Sequence, residues 1–179
     1  MITVLDTPNP DTKKFSFDHD IVSSGTREIK KGEKSKIAFV ESLFGTNGVD
    51  LVFIDKNFIS IKKSQNVDWN DLSPKVLEIL NNNIGSKFEK MSFEETEKFS
   101  DDISKRIEEV LTEKIRPAVA MDGGDIRLKS FSNGVAEVIL QGACAGCPSS
   151  TVTLKHGVER MIKHYVPEVN SVEAVNLDE

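Results

Sequence analysis

Apolar residues recur at helical spacing at Ile103, Ile107, Val110, Leu111 and Ile115, and again at Leu154, Val158, Met161, Ile162 and Tyr165. Each set marks one face of an amphipathic helix. Ser100 stands where a cap is needed for the first helix, Asp101 and Asp102 suit the positive end of its dipole, and Pro117 is expected to end it. The second helix is expected to run from Pro148 to about Tyr165, with Pro167 as its stop. Between them Ile126-Arg127-Leu128 alternates as a strand, Asn133-Gly134 supplies a hairpin turn, and residues 135–140 return. Residues 172–175 read as a last strand. The predicted order is helix, strand, strand, helix, strand.

Upstream the period changes. Extended segments flank Thr7-Pro8-Asn9-Pro10, residues 37–44 form a short apolar helix ending near Gly45, and residues 49–54 and 58–62 read as a hairpin joined through Asp55-Lys56-Asn57. Residues 71–82 carry Leu72, Val76, Ile79 and Leu80 at helical spacing. The fold class is α+β in two small domains, 1–85 and 100–179, with the polar, acidic stretch 86–99 as a linker whose Phe88, Phe93 and Phe99 are placed to dock on a neighbouring surface. There is no internal repeat, and residues 1–85 contain no catalytic constellation.

Composition narrows the partners. With 23 Lys+Arg against 29 Asp+Glu the net charge is -6, which offers no basic field for nucleic acid or an anionic membrane. No apolar run reaches the length of a membrane span, and the start shows neither a signal peptide nor an Arg-rich transit sequence. The expected setting is a bacterial-type cytoplasm, or the mitochondrial matrix if a leader has been removed.

The candidate chemistry is concentrated in the chain's 2 cysteines, Cys144 and Cys147, within Gly142-Ala143-Cys144-Ala145-Gly146-Cys147-Pro148. Pro148 fits the first helical position, so both sulfurs lie at a helix N-terminus, where unpaired N–H groups and the dipole favour the thiolate. Two thiolates are half a ligand set, because tetrahedral zinc and the usual iron-sulfur clusters take four. A second copy of the chain is the simplest donor of the rest. Three chemistries share this spacing: a bridged cluster, a zinc bridge, and dithiol-disulfide exchange. The last usually opens the first helix of a βαβ unit, an order that the predicted hairpin does not provide. The flanking glycines point to an exposed tip rather than a buried, inert pair. Asp122-Gly123-Gly124-Asp125 reads as a tight turn whose aspartates bond local N–H groups, and His156 and His164 fall on the solvent side of the second helix.

These residues also carry a resemblance. Met121-Asp122-Gly123-Gly124-Asp125, a hairpin, and then Gly142-Ala143-Cys144-Ala145-Gly146-Cys147-Pro148-Ser149-Ser150 resembles the C-terminal domain of the NifU-like (Nfu) iron-sulfur scaffold proteins, over residues 100–177. Thr7-Pro8-Asn9-Pro10 and Trp69 are similar to the N-terminal domain that accompanies it in bacterial and mitochondrial members. The resemblance implies a non-enzymatic scaffold or carrier. Two chains would hold one [4Fe-4S] cluster through Cys144 and Cys147, with [2Fe-2S] left open by ligand count. The cluster would be received from the cluster-assembly machinery and passed to apo-proteins. Ala145-Gly146 departs from the Ser-containing motifs of the family but removes no ligand.

Overall fold

The computed structural model describes residues 1–85, 88–94, 99–145 and 148–175, the side chains of 148–154 apart. It has two compact units, Met1–Glu95 and Thr96–Glu179. In the first, β1 (Ile2–Asp6) and β2 (Thr12–Phe17) pair antiparallel across the loop holding Thr7-Pro8-Asn9-Pro10. The two prolines remove N–H donors, and side chains supply the bonds that hold the loop. Thr7 Oγ1 donates to the carbonyls of Asn9 and Thr12, both at 2.9 Å, and the Asp11 N–H donates to Asn9 Oδ1 at 3.1 Å. The Trp69 indole N–H reaches the Pro10 carbonyl at 3.1 Å, so the two segments that carry the upstream resemblance meet in space.

The chain continues through β3 (Val22–Ser24), β4 (Arg27–Lys30), α1 (Ala38–Gly45), β5 (Val49–Asp55), β6 (Phe58–Lys63) and α2 (Trp69–Asn83). Asp68 caps α2 by accepting the Asn70 N–H. The sheet runs β1-β2-β6-β5-β4, every neighbour antiparallel. Phe39, Val40 and Leu43 of α1 and Leu72, Val76 and Leu80 of α2 join Phe15, Val52, Ile59 and Ile61 of the sheet in one core. A short β7 (Met91–Ser92) pairs parallel with β3, and Phe88, Met91 and Phe93 pack on this core. Two of the three aromatics in the polar stretch therefore dock on the first unit, while Phe99 packs on the core of the second.

The second unit comprises α3 (Asp102–Val110), a π turn (Leu111–Ile115), α4 (Arg116–Met121), β8 (Gly124–Ser132), β9 (Val135–Gly142), α5 (Pro148–Tyr165) and β10 (Ser171–Val175). Its α+β character and element order follow the sequence pattern, but three details differ. Asp101, not Ser100, caps α3: its Oδ1 accepts the Ser104 N–H at 2.7 Å. Pro117 does not end the helix. A proline ring clashes with the carbonyl four residues back and has no N–H to offer it; the wider turn at Leu111–Ile115 absorbs that conflict. Pro117 then opens a renewed α-helical segment, a position it tolerates.

The third difference lies in α5. Val158 and Ile162 are buried, but Met161 and Tyr165 are 38% and 46% exposed. A three-stranded sheet shared with α3 has width for only a narrow stripe of a second helix, and here that stripe is Val158, Ile162 and, just past the helix, Val166.

The second sheet runs β10-β9-β8. β8 and β9 form the hairpin predicted at Asn133-Gly134, with positive φ at both residues as a type I′ turn requires. β10 lies parallel to β9, which makes β9–α5–β10 a βαβ crossover. Each outer strand has an edge N–H met by a helix carboxylate: Glu108 accepts from Leu128 at 3.3 Å and Glu159 from Val172 at 3.0 Å. Such capping keeps a sheet edge from recruiting another strand. Lys163 and the Val172 N–H hold the Glu159 carboxyl below the usual glutamate range.

Candidate metal centre

β9 delivers the chain through Gly142 to Cys144, and the glycine motif stands directly opposite, with Gly124 in register with Gly142. After α4 ends, Gly123 takes a φ of 81°, a conformation that favours glycine, and its N–H donates to the Ala120 carbonyl at 3.1 Å. The Gly123 carbonyl then accepts the Ala143 N–H at 3.1 Å, tying the cysteine loop to the turn. The Ala145 N–H returns to the Gly142 carbonyl at 3.1 Å, which curls the loop before Pro148 opens α5.

At Gly124 the strand and the cysteine loop leave no room for a side chain. A Cβ built there would lie 2.6 Å from Cys144 Sγ, 2.8 Å from the Gln141 carbonyl oxygen and 3.1 Å from the Cys144 nitrogen. No real side chain tolerates such contacts, so Gly124 exists to make room for the thiol. The motif therefore does more than turn the chain, and the expectation of an exposed tip fails for Cys144. Its residue is 7% exposed and packs in the core of the second unit, because the loop folds back over the bare Gly124 backbone. Cys147, the other predicted ligand, lies outside the described residues.

The second aspartate of the motif engages two arginine side chains, partners that the sequence reading does not name. Asp125, 4% exposed, accepts Arg116 Nε at 2.9 Å on Oδ1, and Arg116 Nη2 at 3.2 Å and Arg127 Nε at 3.3 Å on Oδ2. Arg116 also donates to the Ile126 carbonyl at 3.1 Å and lies 3.4 Å from Glu108 Oε1. Burial pushes the Glu108 carboxyl above its ordinary range, against the opposing pull of Arg116. The π turn is what aims Arg116 at this strand edge, one residue from Gly124. A lone arginine beside an in-helix proline was the signal that could have disclosed it.

Asp125→Asn removes the charge that both guanidinium groups face. It is expected to cost about 2 kcal/mol in chemical denaturation, less than a fully buried pair loses, since Arg116 keeps partial solvent access.

His156 and His164 are both exposed. Among the described residues no group of three or more His, Cys, Asp or Glu could hold a metal ion. The βαβ crossover also removes the topological reason for setting disulfide exchange aside, because the cysteine loop does open the helix of such a unit.

Comparison with known proteins bears on the choice. Residues 107–173 match the NifU-like domain and residues 2–87 the N-terminal domain of Nfu/NifU scaffold proteins. A human protein named NFU1 iron-sulfur cluster scaffold homolog, mitochondrial, is 35% identical over 185 residues, covering 99% of this chain and 73% of its own. This chain belongs to the Nfu/NifU family. Proteins of the same name from Drosophila persimilis and Drosophila virilis are 38% and 37% identical over 97% of the Nfu/NifU chain. The chain spans 64% and 61% of their length. A NifU-like protein from Saccharomyces cerevisiae, solved in solution, aligns with 52% of this chain and 86% of its own at 25% identity and a TM-score of 0.46. In this Nfu/NifU chain the matched NifU-like segment contains Gly124, Cys144 and Cys147 together.

Proposed function

We propose that the protein is an iron-sulfur cluster scaffold or carrier, not an enzyme, whose cargo is a [4Fe-4S] cluster held between two copies by Cys144 and Cys147. The observation that carries the reading is the cysteine loop at the start of α5, cleared for the Cys144 thiol by Gly124 in a chain of the Nfu/NifU family. The residues suit such cargo. Two thiolates per chain make four per dimer, and Gly142, Ala143, Ala145 and Gly146 add neither charge nor bulk that would hold a second chain away.

Release is ligand exchange. Each incoming thiol of an apo-protein gives up its proton and bonds iron as Cys144 or Cys147 leaves and is protonated, one cysteine at a time. The cluster is drawn from the assembly machinery, and the working compartment is reducing: a mitochondrial matrix, as for the relatives named mitochondrial, or a bacterial cytoplasm. Among the described residues no helix is long and apolar enough to cross a membrane.

Anaerobic reconstitution with iron, sulfide and zinc, all three counted, tests this. Iron and sulfide in equal amounts with a charge-transfer colour support it; zinc alone in a colourless protein rules it out. The βαβ placement of the cysteine loop favours a second reading, a dithiol-disulfide protein, which would stay colourless, hold no metal and lose two titratable thiols on oxidation.

The two units are proposed to be separate domains, with binding confined to the second. Residues 96–179 expressed alone are expected to take up as much iron and sulfide per chain as the full protein, and residues 1–85 none. Uptake that depends on the first unit would contradict this division.

A further inference from the structure

On α5, His156, Arg160 and His164 follow at intervals of four, and Gly157, Met161 and Tyr165 run beside them; all six are exposed. Residues four apart on a helix are neighbours, so these are two adjoining ridges, one basic and one apolar with a glycine notch. Of the five large apolar side chains exposed among the described residues, two stand together here. Tyr165 is held in place: its ring lies 4.8 Å from that of His164 and 5.9 Å from the Lys114 ammonium, and its carbonyl accepts from Arg106 at 3.2 Å. Tyr, Met and Arg side chains together on one surface are the composition of a binding hot spot.

The charge of this helix runs against that of the chain. The protein carries a net -6, yet α5 has Lys155, Arg160 and Lys163 against a single acid, Glu159. Glu159 is taken up by Lys163 at 2.7 Å and by the Val172 N–H. Arg160 has no carboxylate at ion-pair distance among the described residues. A second copy seated here about a two-fold axis would set this basic ridge against itself, and a nucleic acid would meet the negative remainder of the chain.

We infer that the outer face of α5 docks an acidic protein surface with an apolar centre, belonging to the apo-protein that accepts the cluster. The partner's role as cluster acceptor rests on the function proposed above; the docking of an acidic surface does not. At 1.5 Å per residue, His156 lies about 12 Å and His164 about 24 Å along the helix from Pro148. A small protein seated on this ridge thus extends to the start of α5, where the cysteine loop ends.

The test uses the full chain and an acidic apo-ferredoxin as probe. Binding of the apo-ferredoxin to the cluster-free protein, followed by calorimetry, is expected to weaken about tenfold in Arg160→Glu and further in His156→Glu/Arg160→Glu, and to survive in Arg160→Lys. Cluster transfer from the loaded protein is expected to slow in the same order and to lose its salt dependence, with iron content unchanged. Unaltered binding in the charge reversals overturns the inference, as does absence of binding in the parent. A changed oligomeric state of the variants assigns the face to a second copy and also overturns it. Failure of the parent to load iron counts against the scaffold reading, while the calorimetry still decides the docking; a variant that alone fails to load overturns the docking inference.

Discussion

Cys144→Ser and Cys147→Ser are each expected to abolish stable cluster binding, with iron and sulfide after anaerobic reconstitution falling to the level of a protein without cysteines. A hydroxyl is a poor ligand where a thiolate is required, and each chain has no third cysteine to substitute. The Cys144 variant carries a second effect. Its thiol packs in the core of the second unit, so a hydroxyl there costs about 1 kcal/mol and lowers the melting temperature by several degrees. Circular dichroism should still report a folded chain at room temperature. A Cys144→Ser protein with a full complement of iron and sulfide would remove this residue from the site.

Gly124→Val is expected to have the next largest effect although it deletes no ligand. Its Cβ would meet the sulfur at 2.6 Å and two backbone atoms at 2.8 Å and 3.1 Å. Those backbone atoms belong to the paired end of β9 and the loop beyond it, so relief comes from moving the cysteine loop rather than one flexible side chain. Overpacking of this kind costs about 1–3 kcal/mol. Cluster occupancy should fall at least as far as stability does, and it should stay low at temperatures where the variant is fully folded. Gly157→Ala is the control: nothing lies within 4 Å of its Cβ position, and the exposed helix should gain up to about 1 kcal/mol. A Gly124→Val protein that is folded and loads normally would reduce the glycine motif to a turn.

The parts of this fold that are legible in the sequence are those governed by local periodicity and turn chemistry. The hairpin at Asn133-Gly134, the α5 span and the strand at Ser171–Val175 all follow from short-range pattern. What is not legible depends on partners distant in the chain. Pro117 reads as a helix end because a regular α-helix rejects it; nothing local announces the π turn that accommodates it. Met161 and Tyr165 read as core because periodicity reports a face, not how much of that face the opposing sheet is wide enough to cover. The parallel pairing of β10 with β9 is a matter of topology, and with it goes the argument that distinguished a cluster site from a redox motif.

The candidate site divides in the same way. The cysteines identify themselves by spacing, as thiol chemistry is carried by residue type. The burial of Cys144 over Gly124, and the clasp of Asp125 by Arg116 and Arg127, arise only when β8 is laid beside β9 and α4.

The central claim is that two chains share one cluster. Light scattering before and after anaerobic reconstitution, on the same samples in which iron and sulfide are counted, tests it most directly. Half a [4Fe-4S] cluster per chain is expected, with a mostly monomeric apo-protein converted to a dimer as the cluster binds, since binding to the assembled state alone drives assembly. A monomer that carries a complete cluster would contradict the account.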